Sequence, residues 1–320
     1  MNHDNMQILE VAKMYYLNHM TQEDIAQKLY LSRSKVSRLL KQAKAENYIS
    51  FVITGETYRN HFLETELMES FSLKDVHVTK TGDSLQATLA QMAPALSDYL
   101  VSILQESDTI AVARGKTLQT LSRDMPKKVI PSLKIVQVIG SLGDSPEIME
   151  NELGFIKKFA AVFHATPYNL YSPFAMTNSD EKQMFLQLPY IRQTLQLARK
   201  AGILLLSLGD PYAGDALWRS FLSREELAQT AHVYPAGTFC GYFYDINGKP
   251  IHQPWNDRMI GLSLSQLTSK EYIIGAVSGT NKVLPTLGAL RGKMINILFI
   301  DEKTALELLI QNQLHAIEPD

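Results

Sequence analysis

At 320 residues the chain is long enough for about two domains with a sizeable buried core. Hydrophobic residues at 45% and charged residues at 20% exclude a disordered or collagen-like chain, and no apolar run approaches the roughly 18 residues of a membrane span. The net charge of −2 gives no overall attraction to nucleic acid, and a single cysteine, Cys240, excludes an internal disulfide and a multi-cysteine zinc site.

The opening segment MNHDNMQILEVAK lacks the basic-then-apolar order of a secretory signal, so a cytoplasmic location is expected. Ile8, Val11, Ala12, Met14, Tyr15 and Tyr16 recur at helical spacing and predict a first helix over 5–18. Thr21 opens T-Q-E-D, a capping-box-like start for a second helix over 21–29 that buries Ile25, Ala26 and Leu29. After the turn at Tyr30-Leu31, Ser32 is placed to cap a third helix running to Glu46.

That third helix reverses the charge of the whole. Arg33, Lys35, Arg38, Lys41 and Lys44 face one acid, Glu46, in a chain of 31 basic and 33 acidic residues. Val36, Leu39, Leu40 and Ala43 form an apolar stripe, and Arg33, Ser34, Ser37, Arg38 and Lys41 fall opposite it. A basic run alone is commonly a solvated face, and three helices can be a plain bundle. Helix, tight turn and a helix with an apolar back and a cationic, hydroxyl-bearing front together make a helix-turn-helix pattern for the DNA major groove. Thr21, Gln22, Ser32, Arg33, Ser34, Lys35, Ser37, Arg38 and Lys41 are the candidate DNA contacts. A turn of this kind favours glycine; Tyr30 stands there instead, at a cost on the order of 1 kcal/mol if its backbone is left-handed. Residues 49–53 alternate like a short strand.

The boundary of the head falls at Thr54-Gly55-Glu56-Thr57, giving a DNA-binding domain over 1–54, a linker and oligomerisation helix within 55–72, and an effector-binding domain over 73–320. The linker helix, 58–71, carries Phe62, Leu63, Leu67, Met68 and Phe71 on one side, a stripe suited to its own domain's core or to a second subunit. Beyond it, strands are expected at 75–79, 108–113, 134–139, 161–165, 203–208, 237–244, 272–277 and 295–300, with helices at 84–105, 147–159, 182–201, 281–290 and 302–312. The alternation predicts an α/β fold: an all-α head, then a larger Rossmann-like domain with a mostly parallel sheet, whose ligand sits beyond the carboxyl ends of the strands.

Three loops after strands are candidates for that ligand. Arg114-Gly115-Lys116-Thr117 follows 108–113 and opens a helix, offering backbone amides, a hydroxyl and two cations to an anion. It lacks the spacing of a Walker loop, and a plain turn is the competing reading. Gly140-Ser141-Leu142-Gly143-Asp144 and Leu208-Gly209-Asp210 follow two further strands. Lys282, in G-T-N-K-V at a helix start, can meet an anion or be a solvated lysine.

The segment from Met20 to Ile49, MTQEDIAQKLYLSRSKVSRLLKQAKAENYI, resembles the DNA-binding head of the sorbitol-operon-regulator (SorC) family of bacterial transcription factors. The resemblance continues in order through IAVARGKTL at 110–118, IVQVIGSLG at 135–143, FCGYFYDINGKPI at 239–251 and LRGKMINILFIDEKTA at 290–305. It implies a regulator of a carbohydrate or carboxylate operon, acting on double-stranded operator DNA as a homodimer or homotetramer through an effector domain similar to sugar-phosphate isomerases. It further implies that the loop 114–117 and Lys282 hold the effector's phosphate, with Thr238 and Phe239, where the 239–251 segment begins, at the site. Two positions depart from the family: Arg114 where an aromatic residue is common, and Thr238 where an acidic residue often stands. Losing a carboxylate and gaining a guanidinium favours an anionic over a polyol-like ligand. The effector is therefore a sugar phosphate or a small di- or tricarboxylate such as citrate. No cofactor and no metal is expected.

An isomerase or deaminase is the alternative. Asp144, Asp210, His164 and Asp245 have suitable side chains, but no paired carboxylates, HExxH, GxSxG or CxxC pattern frames them. His164 reads as a half-buried strand residue, Cys240 as an inert core thiol and Asp245 as part of a hairpin turn.

Overall fold

The computed structural model describes residues 3–16, 18, 20–45, 59–105, 107–130, 132–141, 154–212, 223, 225–226 and 234–317. The strand expected at 49–53, the loop residues Leu142–Asp144 and the first part of the helix expected at 147–159 lie outside them. The chain forms two compact units, Met1–Glu56 and Thr57–Asp320.

The first unit holds α1 (His3–Tyr16), α2 (Gln22–Lys28) and α3 (Arg33–Ala45). Ile8, Val11, Ala12, Ile25, Ala26, Val36, Leu39, Leu40 and Ala43 close into one buried cluster, joining the apolar stripes of all three helices. Thr21 and Asp24 make a reciprocal capping box at α2: the Asp24 N–H donates to Thr21 Oγ1 and the Thr21 N–H to Asp24 Oδ2, each at 3.2 Å. Tyr30 adopts φ 54°, the left-handed conformation the turn demands, with its ring 96% exposed.

The second unit is built on a parallel sheet in the order β1-β10-β9-β5-β2-β3-β4. Its strands are β1 (Asp75–Thr79), β2 (Thr109–Val112), β3 (Lys134–Gln137), β4 (Thr166–Tyr168), β5 (Ile203–Leu206), β9 (Tyr272–Val277) and β10 (Ile297–Asp301). Each central strand is buried on both faces: Ile110, Val112, Ile203 and Leu205 enter one core cluster, Ala111, Ala113, Leu204 and Leu206 the other. That explains the short continuous apolar runs, the usual mark of a parallel sheet covered on both sides. From β2 the chain steps outward to β3 and β4, then returns to lay β5 on the other flank of β2. The carboxyl ends of β2 and β5 therefore form a topological switch point.

Helices α4 (His61–Phe71), α5 (Leu85–Ile103), α6 (Lys116–Asp124), α7 (Phe155–Val162), α8 (Ser179–Gln187), α9 (Pro189–Lys200), α10 (Leu264–Thr268), α11 (Val283–Arg291) and α12 (Glu302–Ile317) complete the described part of this unit. α4 belongs to it rather than standing apart: Leu63 and Leu67 are buried in its core, and Met68 and Phe71 pack against that core. Only Phe62 of the predicted stripe is turned out, at 71% exposure.

Three of the expected elements take another form in the structure. Of the strand expected at 161–165, residues 161–162 end helix α7 and 163–165 form its exit turn; Phe155, Phe159 and Phe163 follow at four-residue steps with their rings tilted against one another. The helix stops where His164 turns left-handed (φ 51°) and the Ala165 N–H reaches back to the Ala160 carbonyl; His164 is exposed, not half-buried in a strand. The run 237–244 is a hairpin of β6 (Gly237–Phe239) and β7 (Tyr242–Tyr244), joined in a small antiparallel sheet by β8 (Pro250–Ile251). Its two-residue turn places both Cys240 (φ 49°) and Gly241 (φ 88°) in left-handed backbone, a geometry the aromatic run around it concealed. The single helix expected at 182–201 breaks before Pro189, which lacks the N–H needed to continue it.

Candidate DNA-binding face and effector site

On α3 the side chains divide by face. Val36, Leu39, Leu40 and Ala43 are buried, while Ser32, Arg33, Ser34, Lys35, Arg38 and Lys41 are exposed and Ser37 is half-buried. Ser32 caps the helix, accepting from the Lys35 N–H at 3.2 Å, with Ser34 Oγ 3.0 Å from Ser32 Oγ. Thr21 is exposed and Gln22 half-buried at the start of α2. Arg33 lies 3.7 Å from Glu23, with both side chains mostly in solvent. Such a pair contributes little and can yield to a phosphate. The face is a cationic ridge with hydroxyls at its leading end.

In the second unit the loops after β2, β5 and β9 lie side by side at one sheet edge, because their strands are neighbours and parallel. Gly115 precedes α6 and has no side chain to cap its first amides; a Cβ there would come no nearer than 3.9 Å to Ser207, in the loop after β5. Lys116 is exposed, Thr117 half-buried. Lys282 sits at the end of a short 3₁₀ turn (Thr280–Lys282) leading into α11. Burial lowers its pKa below that of an ordinary lysine; Asp210 opposes this and Lys116 adds to it, so the three charges share one neighbourhood. Asn281 Nδ2 donates to Asp210 Oδ2 at 3.5 Å, and the Asp210 carboxylate also accepts from the Tyr212 N–H at 2.9 Å. Arg114 is largely buried, which draws its pKa down to about 9 and leaves it charged at neutral pH. Two cations, a helix start and a carboxylate–amide pair can hold an anion carrying hydroxyl groups.

Other expected contributors are placed differently. The Gly140 N–H donates to the Ile260 carbonyl (2.9 Å) and the Ser141 N–H to the Ser172 carbonyl (2.8 Å), so these amides are committed within the fold. Gly209 and Thr238 bond each other through both backbone groups at 2.9 Å, tying the β5 loop to β6. Phe239 is fully buried in the core. The half-buried Cys240 thiol is pushed up to about 12 by burial, as fits an inert group. Asp245 does turn a hairpin, accepting from Asn247 and Lys249 N–H groups. No cluster of metal-binding side chains occurs among the described residues.

Two residues were not anticipated. Asn281 stands beside Lys282 in G-T-N-K and was overshadowed by the charge of its neighbour. Asp301 sits buried at the carboxyl end of β10. Burial would raise its pKa, but hydrogen bonds from Thr304, Thr81 and Ser278 outweigh that and hold it below the usual carboxylate range. Its D-E-K-T spacing to Thr304 was the available signal, that of a side chain capping α12.

Known proteins share this architecture. The profile of the family described as "Putative sugar-binding domain" matches residues 56–310. The deoxyribonucleoside regulator of Bacillus subtilis is 28% identical, over 94% of this chain and 96% of its own length. The sorbitol operon regulator of Klebsiella pneumoniae is 27% identical, over 95% of this chain and 97% of its own. The crystal structure of the full-length sorbitol operon regulator SorC superposes with a TM-score of 0.71 at 26% identity, covering 96% of this chain and all of that one. A helix-turn-helix head ahead of a doubly wound α/β body is the build of an effector-responsive transcriptional regulator, not of an enzyme. The chain belongs to the SorC-type family that carries this sugar-binding domain. DNA binding and a sugar-type effector come with that membership, and no described helix is long and apolar enough to cross a membrane.

Proposed function

We propose that the chain regulates a bacterial carbohydrate or carboxylate operon, with residues 1–54 as the DNA-binding domain and 73–320 as the effector domain. The head sets α3 in the major groove of double-stranded operator DNA, where Arg38 and Ser34 reach base edges and Arg33, Lys35 and Lys41 the phosphates. Ser32 and Ser37, with Thr21 and Gln22 at the start of α2, complete the contact. Pairing of heads on a palindromic operator requires a homodimer or homotetramer, working in the cytoplasm. The effector is a small anionic metabolite held by Arg114, Gly115, Lys116, Thr117, Asp210 and Lys282, and it must prefer one state of the protein, since equal affinity shifts no equilibrium.

The observation that carries this reading is the neighbourhood of Lys116, Lys282 and Asp210 at the switch point of the sheet. Two cations and one carboxylate suit a sugar phosphate, the phosphate on the lysines and hydroxyls on Asp210 and Asn281. A citrate-like carboxylate is the second reading, favoured by Arg114. Titration calorimetry with phosphate esters and with citrate separates them: heat from a sugar phosphate and none from citrate is expected, and no heat from any phosphate ester would refute the first.

A further inference from the structure

The chain enters the second unit at a bonded corner. Arg59, three residues beyond the end of the first unit, donates to Glu64 Oε1 (2.8 Å) and to the Val76 carbonyl (2.9 Å). The Asn60 N–H donates to the Val78 carbonyl (3.0 Å), and the buried Glu64 accepts from the Val78 N–H (2.9 Å). Residues 59–64 thus complete the edge of β1, a row of groups that would otherwise lack partners. Asn60 also caps α4, accepting from the Leu63 N–H at 3.2 Å, and its Nδ2 donates to Glu302 Oε1 at 2.8 Å.

Glu302 is the residue after Asp301. The Asp301 carboxylate accepts from Thr81 Oγ1 (2.8 Å) and Thr304 Oγ1 (2.7 Å). The Gly279 N–H donates to Thr304 Oγ1 at 2.9 Å and approaches Asp301 Oδ2 at 3.4 Å. Gly279 has φ +103°, a backbone that suits glycine, and its carbonyl accepts from the Lys282 N–H at 2.9 Å. The loop carrying Lys282 is therefore fastened at its root to the first turn of α12, and the same turn fastens the start of α4.

We propose that the Asp301-Glu302 junction positions the Lys282 loop and conveys its state to residues 59–64, so that an anion on Lys282 alters the corner through which the chain enters this unit. The inference rests on the reading of the Lys282 loop as an effector element. An anion drawing Lys282 and its loop toward itself pulls on the Gly279 bonds, and the rigid Asp301–Thr304 cap passes the displacement to Glu302 and Asn60. A contiguous chain of bonds establishes a route but not a coupling, so the test must read both ends.

Hydrogen–deuterium exchange on the full-length protein does so, with saturating inorganic phosphate as probe and ribose 5-phosphate as a second. In the wild type, exchange is expected to change about threefold or more both at 278–286 and at 59–66. Asn60→Asp keeps the capping oxygen but loses the donor to Glu302; it should retain the change at 278–286 and lose it at 59–66. Glu302→Gln keeps an acceptor and should respond like the wild type, and Glu302→Ala should repeat the Asn60→Asp result if that variant folds poorly. A wild-type response confined to 278–286, or unaltered responses in Asn60→Asp and Glu302→Ala, overturns the relay alone. No response at 278–286 to either probe overturns the effector loop itself, and the relay with it.

Discussion

The proposed DNA-binding face and the proposed effector site solve the same problem, presenting positive charge to an anion, by opposite means. On α3 the cations are neighbours in sequence: a helix sets side chains three and four apart on one face, so Arg38 and Lys41 stand together wherever the helix goes. At the sheet edge, Lys116 and Lys282 are far apart in the chain and meet only because β2, β5 and β9 are adjacent and parallel. The first arrangement leaves its charges exposed in water; the second half-buries Lys282 and shifts its pKa. A site made by local periodicity survives small changes in the body around it. One made by tertiary adjacency depends on everything that sets the strand order.

The largest effect expected on this contrast comes from removing both pocket cations. Lys116→Ala with Lys282→Ala should weaken binding of the anionic effector by roughly 100-fold or more, at about 1.5–3 kcal/mol for each charge-assisted contact, while leaving operator affinity in place. Calorimetry beside a DNA gel shift measures both, and wild-type anion binding would end the case for the pocket. Glu64→Ala should cost the second unit about 2–3 kcal/mol in urea unfolding, because it strips the acceptor from the Val78 amide and removes one of the acceptors of Arg59. Arg38→Ala should lose about 1–3 kcal/mol of DNA affinity with effector binding unchanged, and unaltered operator binding would remove Arg38 from the interface. Thr21→Ala, which deletes one half of the capping box, should lower the stability of the head by about 1 kcal/mol and be silent in the effector domain.

The smallest effect is one of pH, and it tests whether the difference in burial matters. Lys282 has its pKa lowered by burial, and an anion binds its protonated form. Effector affinity should thus fall as pH rises toward that lowered value, at lower pH than an ordinary lysine of pKa about 10.4 would give. Lys282→Arg should flatten the fall, since a guanidinium stays protonated throughout. A decline in affinity identical in both proteins would assign it to another group.

Much of the fold was legible because the signals were local. The Thr21 box, the Ser32 cap and the four-residue steps of α3 are properties of a few adjacent residues, and Tyr30 takes its strained turn because the helices on both sides require it. The strands of the sheet were legible as short apolar runs. The hairpin turn at Cys240-Gly241 was hidden because only one of its two left-handed residues is glycine, and α7 was mistaken near its end because V-F-H-A suits a strand as well as a helix. Gly140, Ser141 and Phe239 were plausible by position in the chain, yet their amides or rings are taken up by packing partners remote in sequence.

What the residue order determined, then, is whatever a helix or a strand can display within two turns: the cationic ridge, its caps, the glycine-bearing loops and the strand–helix alternation. Tertiary structure alone decided that α4 belongs to the body, that Asp210 lies beside Asn281 and Lys282, and that Asp301 roots the loop which Lys282 ends. The reason is physical. Backbone periodicity fixes neighbours a few residues apart, whereas burial of the sheet on both faces fixes which distant strand ends share an edge.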